Sequence, residues 1–225
     1  MSRTYSKPGI TSRDFKTRPS FSAQRNAMLE LTTASLAGGA FRKSFDALLN
    51  RAKDNKTHLR VNSIMFKILQ TDPVNPQGSR RVENGNITLL QGMELNNHVS
   101  LQNVLAASYN ASMDRVKGEI SLFVKSFIPK HNINAPSGAS HFRIVVAGIE
   151  ADFSTLSINS DIVEPGFLLL NDIATGDLRI TSTVTPGSKL PLFLVAGIQF
   201  YNLLNGTYYP LNDKKYLPLK IVKVG

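Results

Sequence analysis

Four histidines, His58, His98, His131 and His141, are the side chains best suited to metal or proton-transfer chemistry, and none forms an HxH or HExxH pair. A serine stands beside a histidine in Pro136-Ser137-Gly138-Ala139-Ser140-His141, ahead of a strand-like run. That stretch lacks the GxSxG elbow. Successive strand residues also point to opposite faces, so Ser140 and His141 are expected not to cooperate. Glu150, Asp152 and Asp161 could be carboxylate partners, but any chain of this length supplies such spacings. There is no GxGxxG and no GxxxxGK[ST]. With no cysteine, disulfides, zinc-thiolate sites, iron–sulfur clusters and thiol catalysis are excluded. The expectation is a non-enzymatic protein with no catalytic, cofactor-binding or metal-binding residues.

The elements that must position any function divide the chain unevenly in charge. The 225 residues carry 26 basic and 16 acidic side chains, a net +10. Residues 1–81 hold 15 basic against five acidic residues, whereas the remaining 144 hold 11 of each. A block of this kind is expected to meet something acidic or to be solvated. Residues 1–25 carry six of the cations and a single acid, Asp14, and are interrupted by Pro8, Gly9 and Pro19. Such a stretch buries too little apolar area to fold alone and reads as an extended basic arm. Tyr5, Phe15 and Phe21 lie among its charges. Arg3, Tyr5, Lys7, Arg13, Phe15, Lys16, Arg18, Phe21 and Arg25, with Arg42 and Lys43 further on, are therefore the candidate contacts to a sister copy or to a polyanion.

Residues 26–81 read as helical. A helix capped by Ser20 or Ser22 runs to Leu36, with Ala27, Met28, Leu31 and Leu36 at roughly helical spacing, and Gly38-Gly39 is expected to end it. A second helix from about Ala40 to Lys53 aligns Phe41, Phe45, Leu48 and Leu49, completing a helical hairpin. A third runs from about Leu59 to Gln70, stopped by Asp72-Pro73. The stretch from Asp72 to Gly85, with two prolines and two glycines, is a connector.

Residues 82–225 change to a strand period. Strands are expected at Asn86–Gln91, Lys117–Phe127, His141–Gly148, Glu150–Ile158, Leu190–Tyr201, Thr207–Leu211 and Tyr216–Val224. Ile120, Leu122 and Val124 share one face, as do Phe142, Ile144 and Val146, and Asn205-Gly206 is a hairpin turn. The fold class expected is α+β: a basic arm and helical hairpin, then an antiparallel β-sandwich of jelly-roll or immunoglobulin type.

Ile10 to Phe15, Phe21 to Asn26, Ala40-Phe41-Arg42, Gln70-Thr71-Asp72, Ala135 to Gly138, His141-Phe142, Leu192 to Tyr201, Asn205-Gly206 and Tyr209 to Leu211 resemble segments of an uncharacterised family of Bacteroidota proteins of similar length. That family has no assigned activity, so the resemblance implies no catalytic residues. Its members often carry an additional amino-terminal hairpin rich in Lys and Gly, which has no counterpart here. Asn-x-Ser/Thr sequons, among them those at Asn86, Asn110 and Asn205, would need a secretory route. Met1 to Thr17 is polar and basic, unlike a secretory signal, and no apolar run reaches the ~18 residues that span a bilayer. These features place the expected protein in the cytoplasm or in a phage-like particle, away from membranes. The function expected is a structural subunit that self-assembles as a homo-oligomeric filament or shell through its arm and sheet edges. The alternative is a nucleic-acid-binding or capsid-like protein whose arm contacts phosphates.

Overall fold

The computed structural model describes Gly9 and residues 11–225, so Arg3, Tyr5 and Lys7 lie outside the described residues. The chain is α+β. Helices α1 (Ser12–Thr17), α2 (Ser22–Ser44), α3 (Asp46–Ala52) and α4 (Thr57–Gln70) precede two single turns, α5 (Leu101–Val104) and α6 (Pro129–Asn132), and nine strands. The strands are β1 (Tyr109–Asp114), β2 (Glu119–Val124), β3 (His141–Asp152), β4 (Ser157–Val163), β5 (Leu168–Leu169), β6 (Leu178–Thr183), β7 (Leu192–Leu204), β8 (Thr207–Leu211) and β9 (Leu219–Val224).

Every strand pairing is antiparallel. Strands β1-β2-β6 form one sheet; the other has the order β4-β3-β7-β8, with β5 adding to β3 and β9 to β7. At its centre β3 (HFRIVVAGIEAD) and β7 (LFLVAGIQFYNLL) are almost continuously apolar and buried along nearly their whole lengths. Such runs need cover on both faces. Helices supply one cover: Phe41 of α2 meets Phe193 of β7 edge to face at 5.1 Å and Phe45 at 5.3 Å. The three-stranded sheet lies against the other face. There Ser182 Oγ of β6 accepts from the Gly148 amide of β3 at 3.0 Å and donates to the Asp161 carbonyl of β4 at 2.7 Å. The Asp161 carboxylate then accepts from the Thr183 amide and hydroxyl. The large sheet curls as a half-barrel, and side-chain bonds join β4 to β6 where it would otherwise present an open edge. Helices and strands share one apolar core.

Several expectations are corrected. Residues 12–25 are mostly helical rather than one extended arm: Thr11 and Asp14 form a reciprocal capping box that starts α1, Arg18 alone among these residues is extended, and the 3-10 turn Pro19–Phe21 leads into α2. Gly38-Gly39 does not end α2. A Cβ at Gly38 would sit 2.5 Å from Asn62 Oδ1 of α4, so this glycine is where the two helices close together. The helix breaks instead after Ser44, whose hydroxyl bonds back to the Phe41 carbonyl at 2.8 Å and whose own carbonyl accepts from Ser160 Oγ of β4. The helical hairpin is therefore α2 against α4, with α3 in its connection. Asn86–Gln91 forms no strand; Ile87–Leu90 is a 3-10 turn begun by the Asn86 side chain. The expected break at Ile149 is absent, since β3 runs unbroken to Asp152, and the rest of the expected Glu150–Ile158 strand is a turn and the start of β4 at Ser157. Asn205-Gly206 does turn β7 into β8, with φ of 50° and 80°.

Phe41 is fully buried at the joint between helices and sheet. Phe41→Ala is expected to cost about 3–5 kcal/mol, measured as a lowered urea midpoint with an unchanged slope.

Candidate functional site

The residues flagged for chemistry do not converge. Glu150 is buried and accepts from the Thr185 hydroxyl at 2.6 Å and from Ser188 Oγ, which fixes the loop between β6 and β7. Burial opposes its charge, but these hydrogen bonds prevail and hold its carboxyl below the usual range. Asp152 caps the β3–β4 turn through the Ser154 amide, and Asp161 is committed to β6. One expectation about this group fails: Ser140 Oγ lies 2.9 Å from His141 Nδ1. Ser140 precedes the first residue of β3, so strand alternation does not separate the pair. The hydroxyl also accepts from the Leu203 amide at 2.9 Å, and the His141 ring packs edge to face on Tyr208, so the pair pins the strand end. Among the described residues, no three His, Asp or Glu side chains are placed to hold a metal.

Two of the four described arm cations are committed within the segment. Arg18 pairs with Asp14 at 2.9 Å, and Arg25 donates to the carbonyls of Phe15 and Arg18 at 2.8 and 2.9 Å. The Phe15 and Phe21 rings stand 5.6 Å apart, both half-buried. Arg13 and Lys16 are exposed, and α1 has no buried residue. Residues 12–25 thus fold back upon the start of α2.

Two surfaces stand out beyond that segment. The first is the outward face of α2. From Asn26 to Phe41 the helix has one charged residue, Glu30, and it points inward, 2% exposed, where it accepts from the Gly78 amide at 2.8 Å. The other buried residues of α2 are Ala34, Ala37, Gly38 and Phe41, mostly small side chains that let α4 approach. The large side chains point the other way: Met28, Leu29, Leu31 and Leu36 are each more than half exposed. The spacing at Met28, Leu31 and Leu36 marks a helix as expected, but not a stripe that faces the protein's own core. Met28, Thr32, Ser35, Leu36 and Gly39 run up the outward face at three- and four-residue intervals. A helix free of charge on its outside and apolar on both sides is what burial in a larger assembly requires.

The second surface is a groove of about 410 Å³ between the end of α2, the α3–α4 connection and the turn before β9. Arg42, Lys43, Lys53, His58 and Lys214 line it, with Gly39 at its floor. Arg42 is braced by Asn62 Oδ1 at 2.7 Å, and burial lowers its pKa. Two acids also line the groove, but each is already engaged. Asp46 accepts from Asn50 Nδ2 at 2.5 Å. Asp54 takes both ends of the Arg60 guanidinium, at 3.0 and 2.7 Å, and the Lys56 and Asn97 amides. Arg60 above all, with the two amides, holds the Asp54 carboxyl far below the usual carboxylate range against the opposing effect of burial. Of the sequence-flagged residues the groove contains Arg42, Lys43 and His58. Lys53 belongs to the cation-dense first third of the chain, whereas Lys214 comes from near its far end, and nothing local in the sequence points to their meeting.

Searches against protein-family models, curated proteins and solved structures find no match to this chain.

Because the folded pKa of Asp54 is depressed, its contribution to stability is complete above the ordinary carboxylate value of ~3.9 and is lost as pH falls below it. Asp54→Asn is expected to lower the urea midpoint at pH 7, and the gap from the parent should shrink between pH 4 and pH 2.

Proposed function

We propose that this chain is a non-enzymatic structural subunit that associates with copies of itself, and that the first contact is α2 against α2. What supports this is the inverted helix: its only charge over four turns is inside, and its methionine and leucines are outside. A second copy is the occupant that fits best, because an isologous pair buries the same apolar stripe on both partners, and Thr32 and Ser35 allow the two backbones to approach. A lipid surface fits less well. Between Asn26 and Phe41 the outward face carries no aromatic side chain, and of the cations that bound this stretch Arg25 is committed to backbone carbonyls.

A filament or shell needs a further contact besides this pair. The cationic helix α1, with Arg13 and Lys16 exposed, is one candidate, and the strand edges are the other. The β8 edge is the weaker of the edges, since Pro210 has no N–H to offer an incoming strand. In this reading the half-barrel and the sheet facing it are a β-sandwich of jelly-roll or immunoglobulin type that acts as the rigid body of the subunit.

Leu31→Glu combined with Leu36→Glu places charge on the stripe without touching the core. The variant should keep its circular dichroism and urea midpoint while light scattering reports a fall to the monomer radius. If parent and variant both scatter as the same monomer, the proposal is wrong.

A further inference from the structure

We propose that the groove beside Gly39 binds a run of closely spaced phosphate groups, as presented by a single-stranded nucleic-acid backbone or by inorganic polyphosphate. The argument begins with charge. Arg42, Lys43, Lys53 and Lys214 converge on about 410 Å³, and none makes an ion pair among the described residues. Of the two carboxylates in the wall, Asp54 is neutralised by Arg60, and Asp46, bonded only to the neutral Asn50 amide, is left as a single negative charge against four cations. Arg42 is the informative member. It is partly withdrawn from water, which disfavours its charge, yet its brace is a neutral amide. A partly buried guanidinium held in a fixed direction without a counter-ion suits an oxyanion, and the three lysines that line the same groove favour an anion carrying several charges.

The walls also say what is not read. No Phe or Tyr lines the groove, and His58 and Arg42 are its only flat side chains, so a nucleic acid would be held chiefly by its backbone regardless of sequence. The floor agrees with an external occupant. A Cβ on Gly39 would meet nothing within 4 Å, so the protein's own packing gives no reason for a glycine here, in contrast to Gly38. Mid-helix glycine costs roughly 0.5–1 kcal/mol relative to alanine, and at Gly39 that cost leaves the groove open.

The test uses the full chain and a fluorescein-labelled oligothymidine in anisotropy titrations across salt concentrations, with inorganic polyphosphate and polyglutamate as competitors. Four cations meeting phosphates give a log–log salt slope of about −3 for a single strand. The double variant Lys43→Ala/Lys53→Ala should weaken binding tenfold or more and roughly halve that slope. Gly39→Gln, which fills the floor without changing charge, should weaken it at least fivefold. Displacement by polyphosphate but not by polyglutamate supports the assignment, as does binding of polyphosphate alone. Absence of binding to both phosphate polymers overturns it. So does equal competition by polyglutamate, or loss of binding in Arg13→Ala/Lys16→Ala while the groove variants bind normally.

Discussion

The demand that β3 and β7 be covered on both faces governs the rest of the molecule. Two neighbouring antiparallel strands of 12 and 13 residues, almost wholly apolar, cannot leave either side in water. One side is closed by the short β1-β2-β6 sheet through Ile120, Leu122 and Ile180, the other by the helices through Phe41, Phe45, Leu48 and Leu49. The docking of α2 onto the sheet is concentrated in its carboxy-terminal half. Its amino-terminal half continues past the sheet, packs on the connector and α4 through Glu30 and Ala34, and turns its larger apolar side chains outward.

The two features that lie outside this core follow from the same placement. The charge-free face of α2 is the continuation of the helix that closes the sheet. The cationic groove begins where that helix breaks, at Arg42 and Lys43 beside the Ser44 carbonyl that β4 captures. Basic residues in a last turn complement the negative end of a helix dipole, and that accounts for their presence at the end of α2. It does not account for the convergence of Lys53 and Lys214 on the same space.

Local signals were legible in the sequence and long-range ones were not. Asn205-Gly206 could be read because a tight turn is decided by the two residues in it. The Phe41, Phe45, Leu48 and Leu49 stripe could be read because helical spacing survives the break after Ser44. Gly38-Gly39 was misleading, since low helix propensity is overridden by contact with Asn62, 24 residues further along the chain. Strands β1 (YNASMD) and β6 (LRITST) carry few apolar residues and owe their conformation to β2, which pairs with both. The amino-terminal block of charge was visible, but not that Arg18 and Arg25 spend theirs on Asp14 and on carbonyls. The candidate surfaces were legible only in part. Met28, Leu31 and Leu36 were recognised as helical but not as outward-facing, because spacing alone does not say which side of a helix meets the core.

The absence of cysteine allows the account to be tested at one position. Thr32→Cys places a single thiol in the middle of the outward face of α2. If that face pairs with its copy in a second subunit, the thiol should be protected from a maleimide at micromolar protein, exposed on dilution, and joined to its twin as a disulfide-linked dimer under mild oxidation. A thiol that reacts at the rate of a free peptide at every concentration, with no linked dimer, would contradict it.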